Sequence, residues 1–198
     1  MNATEPREED VRDETLVERF RRGDDTAFDE LVARHHGKVY AIAYRMTRNR
    51  EDALDIAQEV FVKAHRGISK WKPIKGFQHW LYRIATNMTI DVMRKRKRRA
   101  AVIVEGEDFS ADRGSVTPAD GPDPVRLLEL EDIGKRLQAA LDTLPERQRA
   151  VMMLRYYEDL SIKEIASVLE CTEGTVKTHL FRGTGKLRDM FGSKRGLF

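Results

Sequence analysis

The sequence predicts an all-α protein of two helical domains joined by a flexible acidic linker. Apolar residues recur at three- and four-residue spacing in two long blocks, and no segment shows the alternation typical of a β-strand. Between the blocks lies a stretch of Gly, Pro and acidic residues with too few apolar side chains to pack a core. A chain of 198 residues is long enough for two small domains.

These patterns divide the chain into five segments. We expect a disordered N-terminal tail, a first helical domain, the acidic linker, a second helical domain and a C-terminal tail, at residues 1–13, 14–99, 100–125, 126–191 and 192–198. The sign of the charge changes sharply where the first domain meets the linker, because a basic run is followed by six acidic residues and one arginine.

The first block predicts four helices. Gly23 with two aspartates ends the first helix, and Arg48-Asn49-Arg50 separates the second from the third. Gly67 closes the third helix, and a loop with Pro73 and Gly76 precedes a long fourth helix.

The fourth helix ends in the unbroken basic run Arg94 to Arg99. Cations near aromatic residues such as Trp80 and Tyr82 suit a melted DNA strand, because they neutralise phosphates while unstacked bases find platforms. A structural interpretation stays open, since a helix C-terminus favours cations and Trp80 fits a core position better.

The second block ends in a helix-turn-helix pattern. The first helix of this block carries an apolar stripe of five residues: Leu127, Leu130, Ile133, Leu137 and Leu141. Pro145 opens the next helix at a position that tolerates it. Ser161 and Glu164 form a capping box, and Thr172 is a natural N-cap for the last helix. The polar face of that helix suits a DNA major groove, and the alternative is a plain helical hairpin with a solvated basic face.

Other classes of protein find little support. The sequence has a single cysteine, Cys171, which excludes an internal disulfide and a multi-cysteine metal site. Cys171 itself is better interpreted as a small buried residue than as a redox sensor. The five histidines lack a ligand spacing, and no nucleophile–base pair or phosphate-binding glycine loop is evident. No apolar run approaches the roughly 20 residues of a membrane span. We therefore expect a cytoplasmic protein without metal, cofactor or enzymatic activity.

The ordered motifs together resemble the extracytoplasmic-function (group 4) sigma factors of the sigma-70 family, from about Thr15 to Phe191. Residues 16–32 resemble the start of region 2, and residues 52–61 resemble the helix that docks on the polymerase β′ clamp helices. Residues 77–87 resemble the −10 recognition helix, and residues 144–182 resemble region 4 with its −35 helix.

The resemblance implies three sets of contact residues. Those for core polymerase are Asp55, Gln58, Glu59 and Phe61. Those for the −10 element are Lys72, Phe77, Gln78, His79, Tyr82, Arg83, Asn87, Arg94 and Lys95. Those for the −35 element are Thr175, Lys177, Thr178, His179, Phe181 and Arg182. Without the resemblance, the first set is better interpreted as a solvated helix face with one core aromatic.

The resemblance also implies a function and partners. It implies a factor that binds core RNA polymerase at the β′ clamp helices and the β flap, recognises double- and single-stranded promoter DNA, and helps melt it. A separate anti-sigma factor would hold it inactive. Two rivals are a conventional helix-turn-helix regulator, which binds duplex DNA tightly without polymerase, and an enzyme acting on nucleic acid. The linker suits the RNA-exit path of the polymerase or serves as an ordinary tether.

The chain departs from the family pattern at three places. His179 stands where the family usually has an arginine, which weakens one contact or makes it pH-dependent. Gly183 and Gly185 lower the helix propensity of the last turns. Pro73 and Ile74 change the loop that would receive a flipped −10 base, so the preferred base does not carry over.

Overall fold

A computed structural model describes residues 12–72, 76–102, 134 and 136–191, without the side chains of 101, 102 and 191. Within these ranges the chain forms α-helices and one short 3-10 turn and no strand, which confirms the predicted all-α fold. Residues 1–11 and 192–198, loop residues 73–75 and most of the predicted linker lie outside the described residues, as do Leu127, Leu130 and Ile133 of the predicted apolar stripe. Asp13, which the sequence places in the tail, is the first residue of α1.

The N-terminal lobe, residues 12–102, is built from four α-helices and the 3-10 turn. They are α1 (Asp13–Arg21), α2 (Thr26–Thr47), α3 (Arg50–Gly67), the turn Ile68–Lys70 and α4 (Phe77–Val102). Helix α4 continues through Val102, so it extends past residue 99 into the segment assigned to the linker. The basic run is helical because its long, unbranched Lys and Arg side chains lose little freedom in a helix.

The helix breaks lie where the sequence predicts them. Gly23 takes a φ of +95° after α1, a conformation that glycine adopts without steric cost. Arg48 ends α2 in the left-handed region, and the Asn49 side chain accepts a 2.9 Å hydrogen bond from the Asp52 amide at the start of α3. These two turns fold α1, α2 and α3 back on one another around one apolar core.

Helix α1 is held to α2 by a polar contact at the edge of that core. The buried His35 ring lies 2.7 Å (Nε2) from the Asp13 carboxylate, and Arg34 donates a 2.9 Å hydrogen bond to the same group. Burial alone would raise the pKa of Asp13, but His35 and Arg34 outweigh it and lower that pKa. The carboxylate therefore stays ionised and pins the start of α1.

The C-terminal lobe, residues 134–191, contains the predicted helix-turn-helix. Its elements are α5, described over residues 136–142, α6 (Glu146–Tyr156), α7 (Ile162–Val168) and α8 (Glu173–Phe191). Val151, Leu154, Ile165 and Val176 are buried and form the centre of a second core. Helices α7 and α8 pack against each other and on α6, so α8 keeps one long face toward solvent.

The two lobes pack together. Ile42 and Met46 of α2, with Tyr82 and Ile90 of α4, belong to the same buried cluster as the core of the C-terminal lobe. The Arg149 guanidinium, 7% exposed, donates 2.7 Å and 2.6 Å hydrogen bonds to the carbonyls of Met46 and Asp142. It thereby satisfies a carbonyl near the C-terminal end of α2, which has no partner within its own helix.

Candidate functional site

One exposed stripe follows helix α3 and is called the α3 face. It comprises Leu54, Asp55, Gln58, Glu59 and Val62, all exposed to solvent. Their three- and four-residue spacing places them on one side of the helix, while the other side is buried in the first core. An exposed surface with two acids between two apolar side chains is a surface suited to binding another protein.

Phe61 does not share this face. Its side chain is 7% exposed and its ring stacks on His36, with 6.1 Å between ring centroids. The structure therefore places three of the four residues predicted to bind polymerase on the surface and the fourth in the core, where it supports α3 from behind.

The second surface, the α4 face, comprises Gln78, His79, Tyr82 and Arg83. Tyr82 is fully buried, although its hydroxyl accepts a 2.7 Å hydrogen bond from Gln78 and donates another of 2.7 Å to Glu158 of the C-terminal lobe. Burial and the nearby Glu158 carboxylate raise the pKa of Tyr82, so the hydroxyl stays protonated as a donor.

Two further carboxylates of the C-terminal lobe lie on the same face. Arg83 donates a 3.0 Å hydrogen bond to Glu170, and His79 Nε2 lies 3.3 Å from Glu164 without hydrogen-bond geometry. On the α4 face, Tyr82 is therefore covered by the C-terminal lobe, whereas the Arg83–Glu170 pair remains partly in solvent.

The remaining residues predicted to bind the −10 element are spread around α4 and do not form one surface. Phe77 is buried among Trp71, Trp80 and His35, and Asn87 is half-buried. In contrast, Lys72, Arg94 and Lys95 are exposed. Only the cations among these residues are free to reach a phosphate without a rearrangement of this structure.

The third surface lies on α8, which is positioned by two caps. The side chain of Ser161 accepts from the Glu164 amide and the Glu164 carboxylate accepts from the Ser161 amide, which confirms the predicted capping box on α7. The Thr172 hydroxyl accepts a 3.1 Å hydrogen bond from the Thr175 amide at the start of α8. These caps fix the angle at which α8 leaves the turn.

The α8 face comprises Lys177, Thr178, Phe181 and Arg182. All four are exposed, and Phe181 is 76% exposed. The neighbouring Thr175 and His179 are partly buried. Two cations, a hydroxyl and an aromatic ring on one helix face provide phosphate contacts together with groups that can touch base edges.

His179 lies at the edge of this face in a positively charged setting. Partial burial and the nearby Arg147 and Arg182 lower its pKa. The ring is therefore mainly neutral at pH 7 and contributes less positive charge toward DNA than an arginine would at this position.

Several residues of the inter-lobe contact were not predicted from the sequence. Arg45 lies 3.1 Å from Glu158 and over the ring of Tyr157, and Arg149 bonds to Met46 of the other lobe. These partners are about a hundred residues apart along the chain, so no local spacing signals them. Among the described residues, no cluster of His, Cys, Asp or Glu is suited to hold a metal ion, and no helix has the length and apolarity to cross a membrane.

Comparison with known families matches both lobes. Residues 31–99 match the family model described as Sigma-70 region 2, and residues 134–187 match the one described as Sigma-70, region 4. The first match contains the α3 and α4 faces, and the second contains the helix-turn-helix and the α8 face.

Curated relatives extend the similarity over most of the chain. The chain is 36% identical to RNA polymerase sigma-H factor of Pseudomonas aeruginosa over 172 residues, which cover 86% of this chain and 89% of the relative. It is also 36% identical to ECF RNA polymerase sigma factor SigW of Bacillus subtilis, over 87% of this chain and 92% of the relative. A 39% identical relative, ECF RNA polymerase sigma factor SigE of Mycolicibacterium smegmatis, is longer: 82% of this chain matches 61% of that protein.

Two solved structures share the fold. One is the sigma factor RpoE of Bartonella quintana in complex with the anti-sigma factor NepR, with a TM-score of 0.65, 21% identity and coverage of 85% of this chain and 98% of that one. The other is CnrH in complex with the cytosolic domain of CnrY, with a TM-score of 0.65, 24% identity and coverage of 92% and 98%.

Proposed function

The chain belongs to the extracytoplasmic-function sigma factors of the sigma-70 family, and we propose that it directs core RNA polymerase to promoters with specific −10 and −35 elements. Members of this family are transcription initiation factors rather than enzymes. The proposed chemistry is therefore binding, without a cofactor and without nucleotide hydrolysis, in the cytoplasm where the polymerase works.

The observation that carries this proposal is the exposed α8 face within the region 4 match. Helix α8 leaves a capped turn and presents Lys177, Thr178, Phe181 and Arg182 to solvent. A helix presented in this way fits a major groove, where cations reach phosphates and polar or apolar groups reach base edges. We assign the −35 element to this face, with Thr175 and His179 at its border.

The α3 face is proposed to bind core polymerase. It lies in the region 2 match and keeps Asp55, Gln58 and Glu59 exposed beside two apolar side chains. The target would be the β′ clamp helices, with the β flap contacted by the C-terminal lobe. Phe61 would support this face from the core rather than touch the partner.

The −10 element is assigned to α4 and its flanks. Gln78, His79, Tyr82 and Arg83 share one face, and the cations Lys72, Arg94 and Lys95 can neutralise phosphates. A factor that holds unstacked bases on aromatic and polar side chains favours the melted state over the duplex. Melting would then be driven by capture of the single strand, with Phe77 and Asn87 supporting the path.

An anti-sigma factor is a proposed partner. One structure with the same fold is a sigma factor, RpoE, in complex with the anti-sigma factor NepR. The exposed acidic and apolar α3 face is a surface that such a partner can cover, and covering it would block polymerase binding.

The proposal is tested by run-off transcription with purified core polymerase on a pool of candidate promoters. The variant Asp55→Ala/Gln58→Ala/Glu59→Ala should lose at least about tenfold of the promoter-dependent transcript, the effect of losing about 1.4 kcal/mol of core binding. The control Asp29→Ala/Lys38→Ala changes exposed residues of α2 and should transcribe like the unsubstituted protein.

Two results would reject the proposal. One is the absence of core binding and of transcript with the unsubstituted protein, combined with tight duplex binding by the protein alone, which would favour a conventional regulator. The other is turnover of a nucleic acid that is lost in an acid-to-alanine scan, which would favour an enzyme.

A further inference from the structure

We propose that Arg21, the last residue of α1, is a positioning residue for −10 recognition: it holds the backbone between α3 and α4 so that Lys72 and Phe77 are presented to the −10 strand in one arrangement. The inference rests on the proposed −10 role of α4 and its flanks. It assigns a task to α1, which carries none of the predicted contacts and precedes the region 2 match that begins at residue 31.

The Arg21 guanidinium binds both ends of the short 3-10 turn that follows α3. Its Nη2 donates to the carbonyl of Ile68 at 3.1 Å and to the carbonyl of Trp71. Its Nη1 donates a 2.8 Å hydrogen bond to the Glu18 carboxylate on α1. A planar guanidinium with three acceptors can turn little, so it fixes the turn relative to the end of α1.

The Trp71 carbonyl needs a donor from elsewhere in the chain. Trp71 ends the 3-10 turn with a φ of −64° and a ψ of 140°, and its amide donates a 3.2 Å hydrogen bond to Ile68. A carbonyl at the end of a helical turn has no partner within that turn. Arg21, which is 50 residues away along the chain, provides the donor at the point where the chain continues to Lys72.

The Trp71 side chain carries this restraint to α4. It is 7% exposed, and its ring meets the Phe77 ring edge-on, with 5.8 Å between centroids, and lies 6.5 Å from Trp80. Phe77 is buried and is the first residue of α4. Since Arg21 holds its backbone and the aromatic cluster holds its ring, Trp71 determines where Lys72 leaves the lobe and where α4 begins.

The hydrogen bonds of Arg21 act on one of the three proposed surfaces. Glu18 lies on α1, Ile68 and Trp71 lie between α3 and α4, and none of them belongs to the α3 face or the α8 face. Water can replace the guanidinium as a donor, because the Arg21 side chain is 24% exposed. Loss of Arg21 should therefore leave the lobe folded and remove the restraint on the direction of the backbone.

The test compares Arg21→Met with Arg22→Met, each assembled with purified core polymerase. Both substitutions remove one positive charge at the end of α1, and Arg22 is exposed to solvent. The probe is a labelled single-stranded oligonucleotide that carries the −10 region of a promoter obtained by run-off transcription. A second oligonucleotide has the same −10 bases in scrambled order, and fluorescence anisotropy measures both affinities.

The expected result is a loss of selectivity. Arg21→Met should bind the matched strand about tenfold more weakly than Arg22→Met does, a loss of about 1.4 kcal/mol. Its affinity for the scrambled strand should stay nearly unchanged, because phosphate contacts carry no sequence information and tolerate displacement better than base contacts. Permanganate reactivity of unpaired thymines in the promoter should fall in parallel.

A conservative variant and two further binding measurements separate positioning from a structural role. Arg21→Lys keeps the charge but offers a point donor without the planar fork, so it should recover part of the selectivity. Affinity for core polymerase and for a −35 duplex should agree within about twofold among all variants. Thermal melting checks that each variant is folded. If Arg21→Met does not fold, the matched-to-scrambled ratio of Arg21→Lys should still fall below that of Arg22→Lys.

Equal matched-to-scrambled ratios at the two arginines would overturn the inference. So would equal losses in core, −35 and −10 binding, which would make Arg21 a structural residue only. A promoter-dependent transcript from the unsubstituted chain, together with equal ratios, would leave the proposed function intact and remove the role of Arg21. The absence of core binding and of any transcript from the unsubstituted chain would instead reject the proposed function, and the inference with it.

Discussion

The two faces assigned to DNA differ in what the rest of the chain does to them. On α8, Phe181 is 76% exposed, and Lys177 and Arg182 stand in solvent. On α4, Tyr82 is fully buried and Arg83 is paired with an acid of the other lobe. A motif therefore locates a recognition helix, but contacts between lobes decide whether that helix is available.

The largest expected effect is at the contact between the two lobes, where Arg149 of the C-terminal lobe binds the end of α2. Arg149→Met should lower the free energy of unfolding by about 2–4 kcal/mol, because the carbonyls of Met46 and Asp142 lose their buried donor. Chemical denaturation measures this. A loss below about 0.5 kcal/mol would mean that water or a rearranged side chain replaces the guanidinium, and that Arg149 does not hold the lobes together.

The exposed face should show the opposite pattern, an effect on binding without one on folding. If the Arg182 side chain reads a base, Arg182→Ala should weaken binding of a −35 duplex by about 1–3 kcal/mol. If it contacts a phosphate, the substitution should reduce the slope of log affinity against log salt concentration by about one. Thermal stability should stay within about 0.5 kcal/mol because the side chain is exposed. Unchanged affinity in holoenzyme–promoter titrations would remove Arg182 from the −35 site.

Alanine substitutions at two glycines of α8 distinguish the effect of helix propensity on stability from the effect of side-chain packing. Gly185→Ala should stabilise the C-terminal lobe by up to about 1 kcal/mol, because an added Cβ meets nothing within 4 Å. Gly183→Ala should stabilise the lobe less, or destabilise it, because the added Cβ would lie 2.9 Å from the sulfur of buried Met152. Thermal melts of the two variants test this, and an equal gain would show that Met152 moves aside freely.

The smallest expected effect is a pH dependence at the border of the α8 face. Because partial burial, Arg147 and Arg182 lower the pKa of His179, the unfolded state binds a proton more readily than the folded state. Its contribution to stability is therefore full above the unfolded pKa of about 6.5 and is lost as the pH falls below it. Since water screens this partly exposed ring, we expect less than about 0.5 kcal/mol.

The pH effect is measured by comparing melting temperatures at pH 7.5 and pH 5.5. His179→Gln should lose less stability on acidification than the unsubstituted chain. An equal loss in the two proteins would assign the pH dependence to other groups.

Local patterns predicted much of the fold. The apolar spacing, the Gly23 and Asn49 breaks and the Ser161–Glu164 capping box each depend on residues within a few positions of one another, and the structure confirms them. The end of the first domain was less well predicted, since α4 runs through Val102. Helix propensity there outweighs the mutual repulsion of the basic run.

The site was predictable only in part, because a helical spacing does not reveal a distant partner. Asp55 and the α8 face lie exposed as the periodicity suggests, since the apolar side of each helix fixes the solvent side. Tyr82 was predicted to line a DNA path, yet it is buried against Glu158, which is 76 residues away. Such contacts depend on how the two lobes pack.

The most direct test of this account is run-off transcription with purified core polymerase on the pool of candidate promoters, with the unsubstituted chain and with Asp55→Ala/Gln58→Ala/Glu59→Ala. We predict a promoter-dependent transcript with the unsubstituted chain, reduced at least about tenfold with the variant. An equal transcript with both proteins, or none with the unsubstituted chain, would contradict the account.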